Sequence, residues 1–358
     1  MTRILALLGL IVASGAGAAE PAPLTLDYLV PLGEIRGRID HLAVDLARER
    51  LIVAELGNDS VGIVDLKARR VIRTIAGLKA PQGVGYESIS DSLFVASAED
   101  GSVRRFRGSD YVPAGRIDLG SDADNVRIDA ARRQVLVGHS DGAITTIDAA
   151  TLTSVGSLRL GAHPEGFQID PDGQFVWVNV PDAHEVAVLD RLAGKQVAGW
   201  PEAQWSGNFP MALDREAHRL LVVFRHPAKL AAIDLASGKT TFSIDTCGDS
   251  DDVFVDARRH RLYVSCGEGY VDVLEKKGPA YIRIARISTV SGARTSYFSP
   301  ELDRYFIAAR AAAGTRAAIW VLKPAPALKS HGQSERGVVI PNCSAELSAG
   351  AVPAKYVR

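Results

Sequence analysis

The residues of this sequence that could do chemistry recur at a fixed place in a repeat. They stand five positions before a residue that opens a turn, and the copies follow one another at intervals of 41 to 44 residues. Carboxylates at equivalent places of a repeat can act together as cation ligands, or as general acids and bases, if the fold gathers the copies around one centre. In chain order the residues at this place are Asp40, Gln82, Asp124, Glu165, Phe209, Asp251 and Arg294.

Residues next to this series extend the set of oxygen ligands. His41 and Asn125 follow two of the acids, and Asn208 precedes Phe209. Calcium takes six to eight oxygen ligands, whereas zinc prefers three or four ligands from His, Cys or carboxylates. If a divalent metal is the cofactor, we therefore expect calcium rather than zinc. The expected metal ligands are Asp40, Asp124, Glu165 and Asp251.

Three basic side chains are the candidate catalytic residues. His41 or His139 could serve as a general base or a metal ligand, or each could simply be held by a neighbouring carboxylate. Arg294 could bind a substrate carboxylate, or it could balance the surrounding acids through bidentate ion pairs. The residue types leave these alternatives open.

The elements that must position these residues follow from the same period. Each copy reads as an aliphatic strand, a short polar turn and a second aliphatic strand, and two further strands follow in most copies. A period in the low forties with four strands per unit is typical of propeller blades. The first core residues of the second strands are Leu51, Leu93, Val135, Val176, Leu220, Leu262 and Tyr305.

A turn residue six positions before each of these core residues is interpreted as structural. An Asp side chain there can accept hydrogen bonds from nearby backbone amides, and a turn repeated in every blade does the same local work in each. The seven turn residues are Asp45, Glu87, Asp129, Asp170, Asp214, Asp256 and Ser299.

Closure of the ring is predicted from the two ends of the repeat region. The last copy supplies only three strands, and residues 24–31 look like an outermost strand without a blade. Pairing these segments removes two exposed sheet edges. The fold class is therefore all-β, a seven-bladed β-propeller over residues 20–324 that is closed by an N-terminal strand completing the last blade. Residues 325–358 are expected to form a disordered or loosely attached tail.

The first 19 residues read as a signal peptide. Arg3 precedes an apolar run over residues 4–13, which is too short to span a bilayer, and small residues follow at 16–18. We expect a periplasmic or secreted protein with no transmembrane segment in the mature chain, and a monomer. An oxidising compartment could join Cys247 to Cys266, which would leave Cys343 unpaired.

Composition argues against one class of partner. The formal net charge is −1, whereas proteins that bind a phosphate backbone usually carry a basic patch or a basic net charge. Nucleic acid is therefore an unlikely partner. With 47% hydrophobic residues, the chain can bury a large core without additional cross-links.

One segment resembles a known repeat family. Residues 160–173 read LGAHPEGFQIDPDG, and the pattern continues through Val176-Trp177-Val178-Asn179. This segment resembles the YVTN repeat of surface-layer and periplasmic YncE-like β-propellers, and the resemblance covers about residues 24–323. It implies the fold and not an activity, because propellers host binding proteins and enzymes alike.

The blades of a propeller surround a central channel. The loops that carry the candidate residues are expected at one end of this channel, which we call the mouth. Three hypotheses remain for what the mouth does. It could be a water-lined channel without specific chemistry. It could bind a small ligand or a protein partner, with Trp200, Trp205 and Phe209 as an apolar wall. It could also hold a divalent metal for hydrolysis or elimination, an arrangement similar to that of gluconolactonase-like propellers.

We favour an exported binding protein and keep the metal-dependent hydrolase or lyase as the alternative. The predicted ligand-binding residues are Asp40, His41, Gln82, Asp124, Asn125, Glu165, Asn208, Asp251 and Arg294.

Overall fold

The structure is a computed structural model, and it describes residues 22–327 except 141, 171, 202 and 313. The predicted signal peptide, most of the predicted tail and Cys343 lie outside the described residues.

Seven antiparallel four-stranded sheets make up the described chain, and each is one blade. Strand β1 spans Leu24–Pro31 and belongs to the last blade. Blade 1 contains β2 (Leu42–Asp45), β3 (Arg50–Glu55), β4 (Ser60–Asp65) and β5 (Arg70–Ala76). Blade 2 contains β6 (Pro81–Glu87), β7 (Ser92–Ser97), β8 (Ser102–Arg107) and β9 (Val112–Asp118). Blade 3 contains β10 (Val126–Asp129), β11 (Gln134–His139), β12 (Ala143–Asp148) and β13 (Ser154–Arg159).

The remaining blades repeat this order. Blade 4 contains β14 (Phe167–Ile169), β15 (Phe175–Val180), β16 (Glu185–Asp190) and β17 (Lys195–Pro201). Blade 5 contains β18 (Ser206–Asp214), β19 (Arg219–His226), β20 (Ala228–Asp234) and β21 (Thr240–Asp245). Blade 6 contains β22 (Ser250–Asp256), β23 (Arg261–Cys266), β24 (Tyr270–Lys277) and β25 (Ala280–Ser288). Blade 7 contains β26 (Ser296–Ser299), β27 (Arg304–Ala309), β28 (Ala318–Pro324) and β1. The predicted seven-bladed propeller is thus confirmed.

The hydrophobic core is divided among the spaces between neighbouring blades. Among the described residues there are seven buried clusters, one for each pair of consecutive blades, and one of them joins blade 7 to blade 1. In that last cluster Leu51 of β3 and Phe306 of β27 are both fully buried. Middle strands are covered on both faces, so they read as continuous apolar runs, whereas an outer strand such as β5 is mostly exposed.

The N-terminal strand closes the ring as predicted. Strand β1 pairs antiparallel with β28 from Leu24 opposite Pro324 to Pro31 opposite Ala318, and the register shifts between Leu26 and Tyr28. The backbone amide of Ala325 donates to the carbonyl of Pro23 at 2.9 Å. Closure therefore depends on contacts between residues about 300 positions apart in sequence.

The repeated turn residues perform the structural role expected of them. In every blade the side chain accepts a hydrogen bond from a backbone amide two or three residues later, as Asp45 does from Arg48 at 3.2 Å and Asp256 from Arg259 at 3.2 Å. Several of these turns also link blades. The Arg48 guanidinium contacts both Asp45 and Asp91, at 2.8 and 2.7 Å, and so joins blade 1 to blade 2.

A disulfide bond stabilises the entry to blade 6. It joins Cys247, which precedes β22, to Cys266 at the end of β23, with the two Cα atoms 5.8 Å apart. Both residues are buried. In the described part of the chain, the helical segments are short 3₁₀ turns, Leu56–Asn58 and Pro181–Ala183, and none has the length and apolar character needed to cross a membrane.

Candidate functional site

The innermost strands of the blades surround a central cavity of about 600 Å³. A second recess of about 270 Å³ lies at the mouth. The two spaces are adjacent, since they share five lining residues: Arg38, Asp124, Glu165, Phe209 and Asp251. The loops that carry the predicted site residues therefore open into a recessed space large enough for a small molecule.

Equivalent backbone hydrogen bonds place three of the predicted acids at the mouth. The amide of Asp40 donates to Ala54 at 2.8 Å, that of Asp124 to Gly138 at 3.0 Å, and that of Glu165 to Asn179 at 2.9 Å. In each of these three blades, the residue whose carbonyl accepts this bond also donates its own amide to the carbonyl of the residue that follows the acid. These paired bonds fix each loop against the second strand of its blade, so the three carboxylates enter the channel at equivalent positions.

Burial and mutual repulsion keep these carboxyl groups from ionising at their usual pH. Desolvation raises the pKa of Asp40 to about 7, with the Asp251 charge acting in the same direction and Arg38 opposing it. Desolvation also raises the pKa of Glu165 to about 8, again reinforced by Asp251. The pKa of Asp124 lies well above its ordinary value because of burial and the charges of Asp40 and Glu165. The three carboxyls thus form one electrostatically coupled group, the acidic cluster.

Several oxygens in and beside the acidic cluster have unused hydrogen-bonding capacity. Asp40 is 1% exposed, Asp124 7% and Asn125 2%. Within the described part of the chain, Oδ1 of each of these three residues accepts no hydrogen bond. A buried oxygen without a donor costs free energy, and this cost is recovered when a ligand or an ion supplies the missing partner.

Asp251 is in a different state, because arginines already neutralise it. Arg225 Nη2 lies 2.5 Å from Asp251 Oδ1, and Arg294 Nε lies 3.1 Å from Oδ2. Arg294 also contacts Asp249 at 2.9 Å. Arg294 therefore takes the charge-balancing role that the sequence left as one of its two alternatives, and both oxygens of Asp251 are occupied by ion pairs.

The histidines divide between the channel and the sheet. His41 lines the channel, with Nε2 3.8 Å from Asp124 Oδ1. Burial lowers the pKa of His41 to about 3, and nearby arginines act in the same direction, so the imidazole is neutral at neutral pH. His139 is buried within blade 3, where its Nε2 lies 2.9 Å from the Thr145 hydroxyl. His163 lines the recess at the mouth beside Asp124 and Glu165.

The predicted amide residues have mixed positions. Gln82 lines the recess and donates from Nε2 to Asp122 Oδ1 at 3.2 Å. Asn208 is buried and donates to the Asn179 side chain at 3.2 Å and to the Glu185 carbonyl at 3.0 Å, so it links blade 5 to blade 4. Of the three aromatic residues expected to form an apolar wall, Phe209 lines both spaces. Trp200 and Trp205 pack instead against the cluster between blades 4 and 5.

The predicted site residues did not include several charged residues that the structure places there. Arg38 pairs with Asp40 at 2.8 Å, and the Arg225 guanidinium stacks on the Phe209 ring at 3.6 Å. Arg127 on β10 lines the channel and donates to the carbonyls of Phe167 and Val126. Asp252 lines the channel and accepts from the Ser296 amide at 2.8 Å. The available signal was an Arg in an inner strand, as at Arg127, where small or apolar residues are usual in a packed sheet.

The arrangement favours positively charged ligands. Three carboxyls lie close enough to raise one another's pKa, although Arg38, Arg225 and Arg294 oppose the rise, and Arg38 forms an ion pair with Asp40. One donor atom each from Asp124, His163 and Glu165 lies within 4.8 Å of the others, which is a grouping that could hold a metal ion. The mouth could therefore bind an organic cation or a metal ion.

Comparison with known proteins shows the fold. A scan against protein-family models finds no match, and a search of the curated proteins finds none either. Among solved structures, the chain is similar to a chain in the crystal structure of a mitotic checkpoint complex, with a TM-score of 0.71 and 14% identity over 89% of this chain and 98% of that one. It is also similar to a chain of the hydrazine synthase of Kuenenia stuttgartiensis, with a TM-score of 0.70 and 17% identity over 86% of this chain and 99% of that one. At these identities the likeness shows the seven-bladed propeller fold alone.

Proposed function

We propose that this chain is an exported, YVTN/YncE-like propeller that binds a small, positively charged ligand in the mouth of its central channel. One observation carries the proposal. The acidic cluster places buried carboxylate oxygens without hydrogen-bond donors in a cavity of about 600 Å³. A cation that enters would satisfy these oxygens and relieve the repulsion among Asp40, Asp124 and Glu165.

Export is supported by two features of the chain. The first 19 residues have the charged, apolar and small-residue segments of a signal peptide. The disulfide between Cys247 and Cys266 fits an oxidising compartment, because disulfides are rare in reducing cytoplasm. These two features together support the proposal of a periplasmic or secreted location.

The recessed position of the acids favours a small ligand over a protein surface. Asp40 and Asp124 are 1% and 7% exposed, so a flat partner surface would not reach them. A protein partner would need to insert a Lys or Arg side chain into the mouth. The checkpoint-complex neighbour is a chain of a protein assembly, so a protein partner is kept as an outcome of the test.

The test is a binding screen on purified, chelator-treated protein. Thermal shift followed by calorimetry would use organic diamines and polyamines, divalent metal ions, and a lysine-bearing peptide as the probe of a protein partner. We expect 1:1 binding of a small cation, with graded losses of affinity in Asp40→Asn, Asp124→Asn and Glu165→Gln. Asp110→Asn, an exposed carboxylate at the turn between β8 and β9, is the control and should bind like the wild type.

Two results would overturn the proposal. If none of the small cations binds at millimolar concentration, the mouth is not a cation site. If only the lysine-bearing peptide binds, and the acidic variants lose that binding, the site is one for a protein partner.

A second candidate function is a divalent-metal-dependent hydrolase or lyase acting at the same mouth. The observation that favours it is the grouping of donor atoms from Asp124, His163 and Glu165 within 4.8 Å. Turnover of lactones and esters by metal-loaded protein, abolished rather than graded in Glu165→Gln, would identify an enzyme, since loss of a metal ligand removes most activity. Absence of turnover with a loaded site would leave the binding function.

A further inference from the structure

The recess at the mouth contains three donor side chains from two neighbouring blades. Asp124 precedes β10 of blade 3, whereas His163 and Glu165 lie in the loop that enters β14 of blade 4. One donor atom of each lies within 4.8 Å of the other two. Zinc binds His nitrogen and carboxylate oxygen at about 2.0–2.2 Å, so small side-chain rotations would bring all three donors onto one ion.

A residue from the far side of the channel supplies an independent indication of a ligand. Asp40 of blade 1 lines the cavity that Asp124 and Glu165 also line, is 1% exposed, and has an Oδ1 that accepts no hydrogen bond among the described residues. Oδ1 of Asp124 is in the same state. Two buried oxygens from different blades thus face one space without donors. A metal ion held by Asp124 would supply the missing partner of its Oδ1.

The histidine decides the class of metal. Calcium was expected from the oxygen ligands alone, but imidazole suits zinc and other transition metals, and carboxylates accompany it in many such sites. We propose that Asp124, His163 and Glu165 bind a divalent transition metal of the zinc or manganese type. This inference rests on the proposed function in that it names the cation that the mouth binds.

A neighbouring carboxylate is placed to orient the histidine. Asp122 Oδ2 lies 3.9 Å from His163 Nδ1, and Asp122 Oδ1 accepts a hydrogen bond from Gln82 at 3.2 Å. Metal-bound His residues commonly direct the second ring nitrogen to such a carboxylate.

The experiment measures binding of the metal alone to untagged, chelator-treated protein. Calorimetry with Zn²⁺, Mn²⁺, Ca²⁺ and Mg²⁺ should give one site that prefers Zn²⁺ or Mn²⁺. His163→Ala, Asp124→Asn and Glu165→Gln should each lose roughly tenfold or more in affinity. Asp110→Asn is the control, because Asp110 is an exposed carboxylate at the turn between β8 and β9 and lines neither the channel nor the recess. Cobalt absorption provides a second readout, since its visible bands should change in His163→Ala.

The outcomes separate this inference from the proposed function. Tight Ca²⁺ binding that is unaffected by His163→Ala would overturn the transition-metal assignment while keeping a cation at the mouth. Binding of organic cations with no binding of any metal would do the same. Failure of metals and organic cations together would overturn both. Circular dichroism of each variant shows whether it is folded, and the near-isosteric Glu165→Gln carries the test if His163→Ala does not fold.

Discussion

Replacing Asp40 by Asn should make the metal-free protein relatively more stable as the pH rises. Asp40 is buried, and its pKa is raised to about 7 in the folded protein from an ordinary value of 3.8. The folded state therefore holds a proton that the unfolded state has already released. The stability linked to this proton is fully present below the ordinary pKa of 3.8, and it is lost progressively as the pH rises to about 7. Asn cannot ionise, so the variant avoids that loss.

The expected size of the effect follows from the pKa. Between pH 5 and a folded-state pKa of about 7 there are two pH units, each worth about 1.4 kcal/mol. The free energy of unfolding of Asp40→Asn, minus that of the wild type, should therefore increase by up to about 3 kcal/mol between pH 5 and pH 8. The charge of Arg38 is already one of the contributions to the raised pKa of Asp40, so its loss as a partner adds no separate contribution to this difference.

The assay is urea unfolding followed by tryptophan fluorescence, at pH 5 and pH 8, with a chelator present. Asp110→Asn is the control, because its carboxylate is exposed and its stability difference should not change with pH. If the difference in free energy of unfolding between Asp40→Asn and the wild type is the same at both pH values, or is smaller at pH 8 than at pH 5, then Asp40 does not carry a raised pKa. The electrostatic description of the acidic cluster would then be wrong.

Three further predictions concern the scaffold. Removing the Cys247–Cys266 bond, by reduction or by double substitution with Ser, should lower the free energy of unfolding by about 3 kcal/mol, because the bond closes a loop of 19 residues. Urea unfolding curves with and without reductant measure this loss, and identical curves would contradict the prediction. Arg48→Met should cost about 3 kcal/mol in the same assay, because the fully buried Asp45 loses its partner; an effect below about 0.5 kcal/mol would refute that role. Deleting residues 22–31 should leave β28 as an open edge, so the protein should associate into larger species in size-exclusion chromatography. A peptide of residues 22–33 added in trans should reverse this association. Unchanged elution of the truncated chain would argue against closure by β1.

The fold could be predicted because each blade repeats the same local physics. The period of core residues from Leu51 to Tyr305 predicts where the second strand of each blade lies. The turn acids, such as Asp45 and Asp256, accept hydrogen bonds from backbone amides of their own turns. These patterns depend on residues close together in sequence. The N-terminal strand could also be assigned, since an odd outermost strand at one end and a three-stranded blade at the other leave two edges to pair.

The pairing of charges at the mouth could not be predicted, because it depends on side chains that meet only in three dimensions. Asp251 stood in the same repeat position as Asp40, yet Arg225 from the previous blade and Arg294 from the next one occupy its oxygens. Nothing in the spacing shows how far an arginine side chain reaches. His139 illustrates a second limit. Side chains alternate between the two faces of a strand, so a position at the end of β11 can turn into the blade as easily as towards the channel.

The pairing of β1 with β28 has a consequence for synthesis on the ribosome. Leu24 is translated 300 residues before Pro324, its partner in the ring. At about 5–20 residues per second, the first strand waits roughly 15–60 s for the strand that covers it. Asp27 lies at the register shift of β1, and in the finished ring its carboxylate is 3.0 Å from Arg304 of blade 7. A charge and a bulge are both devices that discourage a lone strand from pairing with a neighbouring chain. Asp27 thus gives the unpaired strand a charge, and that charge becomes half of an ion pair once the last blade is in place.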